Sequence, residues 1–361
     1  MEHDIYRILQ EKISQYGSGF PASKSGVELK MLKKLFSEAD AELYMKLAPQ
    51  PETAEMIADR IGDTADKTAE HLKHMLKNGT VICFEKEGRI VYFPAPYIPG
   101  IYENMGQIVD AELAELLEQY HNEAYFEHLA NTVQHIANAT KNPVLKYIPV
   151  QEAIKSFSKV FPPDDAIALL KSKKKIAVVD CICRKQLKLT GVPTNLIECC
   201  FFFDDYADYF VDKRKQGRYL SIDEAIEIQM QCEKAGLVST GGVTKDEILM
   251  CHCDKQCVSF RSLKNRITKD LIRSNYYAQV NMDSCSGCGA CVERCVTDAV
   301  SINNDGIAEV NLGRCIGCGQ CATVCPTGAI FLEQKPEEEQ YKELLSAEEF
   351  AKRMMSKKTS G

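Results

Sequence analysis

Cys285-Ser286-Gly287-Cys288-Gly289-Ala290-Cys291-Val292-Glu293-Arg294-Cys295 is followed by Cys315-Ile316-Gly317-Cys318-Gly319-Gln320-Cys321-Ala322-Thr323-Val324-Cys325. Every cysteine of the first run recurs in the second at one offset, 315 − 285 = 30, and Gly287/Gly317, Gly289/Gly319 and Ala299/Ala329 recur with them. A constant offset of this kind marks a duplicated unit. Three thiols spaced two residues apart let a short loop present three sulfurs to one metal centre. The glycines between them permit close backbone approach and leave amides free to hydrogen-bond sulfur. A zinc site would call for four-ligand sets of the Cys-x2-Cys…Cys-x2-Cys type, and that does not explain an x2-x2-x3 run written twice.

The doubled Cys-x2-Cys-x2-Cys-x3-Cys run resembles the ligand run of bacterial ferredoxins with two 4Fe-4S clusters, over about residues 277–333. The resemblance implies crossed ligation. Cluster I would take Cys285, Cys288, Cys291 and Cys325, and cluster II Cys315, Cys318, Cys321 and Cys295. The second run ends Cys325-Pro326-Thr327-Gly328 as the pattern asks, whereas the first has Val296 in place of the proline, which removes a turn constraint but no ligand. Alternating segments Tyr277 to Met282, Ala299 to Asn303, Ile307 to Asn311 and Ala329 to Leu332 predict short strands, with Asn304-Asp305-Gly306 as a turn. Only Arg294 and Arg314 stand against Asp283, Glu293, Asp298, Asp305 and Glu309, so negative potentials are expected for both clusters.

Working outward, the chain has 361 residues, 45% of them apolar and 26% charged, room for two or three soluble domains at roughly 100–200 residues each. Seventeen cysteines is the unusual count. Eight belong to the doubled run, eight lie between Cys181 and Cys257, and Cys83 stands alone. No apolar run reaches the ~18–20 residues a membrane helix needs. Met1 to Arg7 carries charge of both signs and no apolar core, so no signal peptide is expected. Cysteines in that setting point to a reducing cytoplasm and to metal or redox chemistry rather than disulfides. A net charge of −7 argues against a nucleic-acid or anionic-membrane binder.

The second cysteine group opens with Ala177-Val178-Val179-Asp180-Cys181-Ile182-Cys183-Arg184, a buried-looking strand whose alternation would put Cys181 and Cys183 on one face. Cys199-Cys200 and then Cys251-His252-Cys253-x3-Cys257 follow. A third metal site is expected from Cys181, Cys183, Cys199, Cys200, Cys251, Cys253 and Cys257, with iron–sulfur the natural occupant for soft thiolates. Small buried thiols are the alternative for one or two of them. His252 reads as a surface residue, or as a ligand or donor to the site, and Arg184 as a partner for cluster charge or a surface salt bridge. Cys232 falls in a helix opened by the capping box Ser221-Ile222-Asp223-Glu224 and, like Cys83, reads as a core thiol. This arrangement resembles larger ferredoxin-type proteins of anaerobic bacteria and archaea that carry a C-x-C-R segment, a mid-chain cysteine and a C-x-C group ahead of a dicluster domain, over about residues 25–333. The later group is thinner here than in that pattern.

Ahead of the metal-bearing half, residues 28–47 carry apolar positions at helical spacing, and Thr53 to Ile61 and Thr64 to Lys77 predict two helices around Gly62-Asp63. Two strands flanking Glu85-Lys86-Glu87-Gly88 complete what resembles a winged helix-turn-helix domain. Between Pro51 and Asn78 the charge balance is 4 − 6 = −2, which favours protein docking or a structural module over DNA. Gly106 to Thr140 predicts one or two helices with His121, His128 and His135 on a solvated stripe. Lys171, Lys173, Lys174 and Lys175 read as a solvated basic turn able to steer an acidic redox partner. Ser346-Ala347-Glu348-Glu349 would cap a final short helix.

The expected architecture is an α+β multidomain chain. It comprises a winged-helix-like domain (25–100), a helical region (101–175), a cysteine-rich middle domain (176–276), a ferredoxin-like dicluster domain (277–333) and a charged helical tail (334–361). The expected function is iron–sulfur electron transfer, as a carrier or as the electron-input subunit of a larger oxidoreductase acting with redox partner proteins. Two other classes compete: a reductase with a catalytic cluster in the middle domain, and a redox-sensing winged-helix regulator. No G-x-G-x-x-G or P-loop spacing is present to support the enzyme.

Overall fold

The computed structural model describes residues 4–140, 143–242, 244–264, 266, 271–341, 344 and 346. The helix expected after Ser346 falls outside them. The described chain mixes helix and sheet and divides into two compact units. The first is Met1–Leu129, Val179–Glu198 and Asp205–Tyr219, and the second is Ala130–Val178, Cys199–Asp204 and Leu220–Gly361. Among the described residues no helix is long and apolar enough to cross a membrane.

In the first unit the apolar stretch 28–47 forms two helices, Val27–Leu35 and Glu38–Lys46. They part at Phe36, which is extended, because Ser37 and Asp40 close a reciprocal capping box that starts the backbone afresh. Ala54–Ile61 and Ala65–Asn78 follow, each ended by a left-handed glycine, Gly62 at φ 75° and Gly79 at φ 77°. Val81–Lys86 and Arg89–Pro94 pair with Lys86 opposite Arg89. The first strand therefore runs two residues past its expected end, and the turn shrinks to Glu87-Gly88, both at positive φ as a twisted two-residue hairpin demands. Glu52–Thr53 adds a third strand beside Arg89–Pro94. Cys83 is 1% exposed, and burial lifts its thiol to about 11.

Helices Ala111–Tyr120 and Phe126–Thr140 are joined by a wide turn, His121–Tyr125. The solvated histidine stripe does not hold. His121 is fully buried and its Nε2 meets the Tyr97 hydroxyl at 2.7 Å. His128 Nε2 meets the Ser18 carbonyl at 2.9 Å, and only His135 is exposed. The wide turn shifts the helical phase between residues 121 and 128, so a seven-residue repeat no longer keeps one face.

The second unit is built on a mixed sheet in which Ile272–Arg273, Leu145–Ile148, Val238–Gly241, Leu249–Cys253, Glu198–Phe203 and Ile176–Asp180 lie side by side in that order. One face is a dry core of Ile148, Val178, Phe201, Phe203 and Met250 packed on helices Ala166–Ser172 and Ile222–Lys234 through Ala166, Leu170 and Ala225. Ser221 caps the longer helix with Glu224 as its sequence predicts, and Cys232 is fully buried within it. Lys173 is half-buried rather than solvated, donating to the Glu247 carbonyl at 2.7 Å and lying 5.0 Å from the Phe203 ring centroid.

The C-terminal part of this unit forms two small antiparallel pairs, Tyr276–Val280 with Ile330–Gln334 and Val300–Ile302 with Ala308–Val310. They repeat the 30-residue offset in three dimensions. Gly287 and Gly317 both sit at positive φ, 66° and 64°, where an added Cβ would strike the carbonyl of Gly306 and of Tyr276 respectively. Only glycine serves both demands.

Candidate metal centre

The doubled run forms two loops over a common apolar floor that includes Ile154, Tyr276, Val300, Ile330 and Leu332, against which most of its cysteines pack. Cys285, Cys288 and Cys291 line one cavity together with Cys325, contributed by the other repeat. That is the donor set the crossed pattern names for cluster I, and four thiols around one void fit an iron–sulfur group. Backbone amides point at the sulfurs. The Ala308 amide donates to Cys285 Sγ at 3.4 Å, the Ala278 amide to Cys315 Sγ at 3.4 Å, and the Ala299 amide to Cys295 Sγ at 3.2 Å. Thr297 and Thr327 place their hydroxyls 3.6 Å from Cys295 and Cys325. Ala278 lies ahead of the first run and Ala308 ahead of the second, so each half donates an amide to the first cysteine of the other.

The two halves differ in cover. Cys288 is exposed, and a Cβ built on the neighbouring Gly289 would meet nothing within 4 Å. The equivalent tip at Gly319 is covered by Val150, Ala153 and Leu332, and the Val150 amide donates to the Cys318 carbonyl at 3.0 Å. In the metal-free chain, burial pushes the Cys318 thiol up to about 12, although the residue as a whole keeps some exposure. Burial also raises Cys325, yet hydrogen bonds from Ile330, Thr327 and Ala329 outweigh it and hold that thiol below its ordinary value. The arginines of the region are occupied elsewhere. Arg294 donates to Gln320 at 2.9 Å and to the Lys234 carbonyl at 2.8 Å, while Arg314 donates to the Thr297 and Lys264 carbonyls, each at 2.8 Å.

The cysteines upstream are distributed differently from the expectation. In the first unit the strand ends at Asp180, and Cys181 is the N-cap of helix Ile182–Leu189, which contains Cys183. The two thiols are thus placed by a strand-to-helix junction rather than by strand alternation. Their sulfurs still lie within 4.8 Å of each other. Arg184 is fully buried, not at the surface, and its Nε donates to the Leu196 carbonyl at 2.7 Å. Beside Cys183 lies the buried Tyr102, whose hydroxyl donates to Gln186 Oε1 at 2.8 Å. Burial and then the Cys183 charge drive its phenol far up. Tyr97, Tyr120, His121 and Tyr125 are likewise buried in this unit. Sequence spacing carries no signal for these tyrosines, because they come from separate helices and turns.

In the second unit Cys251 and Cys253 alternate with His252 along Leu249–Cys253. His252 points the other way, fully buried, with its ring nitrogens on Gln229 Oε1 (2.6 Å) and the Cys199 carbonyl, so it is neither a surface residue nor placed as a ligand. Cys200 alternates with the core residue Phe201 and so shares the face of Cys251, whose strand pairs through Phe201↔Met250. Cys257 is the buried N-cap of helix Val258–Leu263.

Residues 278–332 match the family described as a 4Fe-4S dicluster domain. A probable ferredoxin of Methanosarcina thermophila is 57% identical over 30 residues, which is 8% of this chain and 52% of that protein. The chain thus spans about half the length of the curated relative it matches. No solved structure matches.

Proposed function

Given that residues 278–332 are a 4Fe-4S dicluster domain of ferredoxin type, we propose that the protein is an electron carrier or the electron-input subunit of a larger oxidoreductase, working in a reducing cytoplasm. The proposed ligands are Cys285, Cys288, Cys291 and Cys325 for one cluster and Cys315, Cys318, Cys321 and Cys295 for the other. Bound there, the clusters supply one-electron chemistry at low potential. The unequal cover of the two loop tips carries the reading. Cys288 and Gly289 form a bare rim on a cavity that Ile302, 38% exposed, also lines, a surface on which a redox partner can dock. The equivalent tip at Gly319 is covered by Val150, Ala153 and Leu332. With Arg294 and Arg314 spent on backbone carbonyls, amide hydrogen bonds are left as the main compensation for thiolate charge, which supports negative potentials.

Iron and sulfide analysis with an EPR-monitored redox titration of anaerobically purified protein tests this. Two 4Fe-4S couples well below about 0 mV are expected. Bound zinc, or either couple above that value, overturns it.

A second reading is a reductase with a further thiolate-bound metal, favoured by the proximity of Cys181 and Cys183 beside Tyr102. Those two thiols would be completed from among Cys199, Cys200, Cys251, Cys253 and Cys257. The helices and hairpin of residues 52–94 follow winged-helix order, and their acidic balance supports a protein-docking or structural role for that segment.

A further inference from the structure

Lys146 sits where strand alternation asks for an apolar residue. On Leu145–Ile148 it shares a face with Ile148, the face closed by the helices of the dry core, and it is 1% exposed, the only lysine so buried among the described residues. Lysine is almost never fully buried unless it is paired. Its partner is Glu247, also buried, from the turn between Val238–Gly241 and Leu249–Cys253, with Lys146 Nζ 2.6 Å from Glu247 Oε2. The glutamate is fixed from other sides too. The Gly242 amide donates to its Oε1, a Cβ on Gly241 would strike that oxygen, and Lys173 donates to the Glu247 carbonyl at 2.7 Å.

A buried ion pair is weak evidence for stability, because desolvation offsets much of the attraction. Here the pair lines a cavity of about 360 Å³, within the roughly 300–1,000 Å³ of small-molecule sites and about a dozen times the ~30 Å³ that one water occupies. The walls are apolar, from Phe161, Pro162 and Pro163 ahead of helix Ala166–Ser172, Leu169 within it, and Leu344, and exposed Lys245 lines it as well. An ammonium has three protons to donate, and that of Lys146 has one protein acceptor among the described residues. Both Glu247 oxygens are already engaged. What the pair still offers a ligand is therefore N–H donors. The lining charges, Lys146 and Lys245 against Glu247, sum to 2 − 1 = +1, which a single carboxylate balances and a phosphate monoester, at about −1.5 to −2, exceeds.

We propose that this cavity binds a small organic monocarboxylate, whose carboxylate accepts from Lys146 Nζ and whose apolar body packs on Phe161, Pro162 and Leu169. Lys146 is the anchor, Glu247 holds it charged and in place, and Lys245 adds attraction at the rim. The site uses none of the cysteines, so it stands independently of how the clusters are loaded and gives the chain a small-molecule ligand in addition to its redox groups.

Isothermal titration calorimetry of the anaerobically purified full chain, with benzoate and 3-methylbutanoate as probes, tests it. At least one of them is expected to bind with one equivalent per chain and a Kd of about 1 mM or tighter. Benzyl alcohol, which keeps the ring of benzoate without its charge, should bind at least about tenfold more weakly. Lys146→Met combined with Glu247→Leu removes both charges together, so that neither is left buried alone, and should weaken carboxylate binding by the same factor. Lys245→Glu, at an exposed position, turns the lining charge to 1 − 2 = −1 and should weaken it too, which carries the test if the double variant fails to fold. Binding of neither carboxylate to the wild type, equal affinity for benzyl alcohol, or wild-type affinity in either folded variant overturns the inference.

Discussion

Gly289 and Gly319 occupy the same place in the two repeats and share the same backbone angle, φ +76°. Replacing either with alanine therefore incurs the same left-handed strain, roughly 1–2 kcal/mol, and the strain cancels when the variants are compared with each other. Their surroundings do not cancel. At Gly289 the new methyl enters open space, whereas at Gly319 it would lie 2.6 Å from Ala153 Cβ, 2.9 Å from Leu332 Cδ1 and 3.2 Å from Val150 Cγ2. The leucine can rotate away, but the alanine and the β-branched valine cannot do so without moving backbone, and overpacking of this kind costs about 1–3 kcal/mol. Gly319→Ala should thus be less stable than Gly289→Ala by about 1–3 kcal/mol. The assay is bleaching of the cluster absorbance in guanidinium under anaerobic conditions, with iron per chain measured beforehand. Gly319→Ala should bleach at least about fivefold faster, since 1.36 kcal/mol is a factor of ten in rate. Equal rates, or a faster loss from Gly289→Ala, would refute the claim that residues 150–153 seal one tip and leave the other bare.

Two further outcomes follow from the first unit and the upstream cysteines. Burial lifts the Glu103 carboxyl from 4.5 to about 7, against the opposing pull of the Gly100 amide at 2.6 Å. Between those values the folded chain holds a proton that the unfolded chain has released, so this group's contribution to stability is full below pH 4.5 and is lost as pH rises through about 7. Thermal unfolding of wild type and Glu103→Gln from pH 5 to 8 should show the variant gaining on wild type by at most about 3 kcal/mol, the residue's partial exposure making that an upper bound; a constant difference refutes it. Cys181→Ser combined with Cys253→Ser should lower iron or other bound metal below the wild-type content while leaving the two ferredoxin couples in place, and an unchanged metal content in atomic-emission analysis would end the case for a third site.

The dicluster domain was legible because its ligands, glycines and strands are local and repeated. Residues 285–325 hold every proposed ligand, and the 30-residue offset is visible without any tertiary information. The helices before Gly62 and Gly79 were legible for the same reason, since their stop signals sit next to them. What failed depends on contacts between distant segments. Nothing near His121 in sequence announces Tyr97 as its partner, and the turn that breaks the histidine stripe keeps helical backbone angles. Cys181 and Cys183 were rightly taken as a pair, but by strand alternation, when an N-cap geometry brings their sulfurs near. His252 sits among cysteines, and its distant partners, the buried amide of Gln229 and the Cys199 carbonyl, explain where it points.

The exchanged amides at Cys285 and Cys315 bear on how the domain could mature. Because Ala308 of the second half serves the first, and Ala278 of the first half serves the second, neither 30-residue copy is a finished module. A chain holding one filled site and one empty site would have its empty half still supplying a ligand and an amide to its neighbour from a loosened loop. Half-loaded species should accordingly be short-lived and loading of the pair should be concerted, so that a cell short of iron would accumulate empty chains alongside full ones instead of a uniform population of singly filled intermediates.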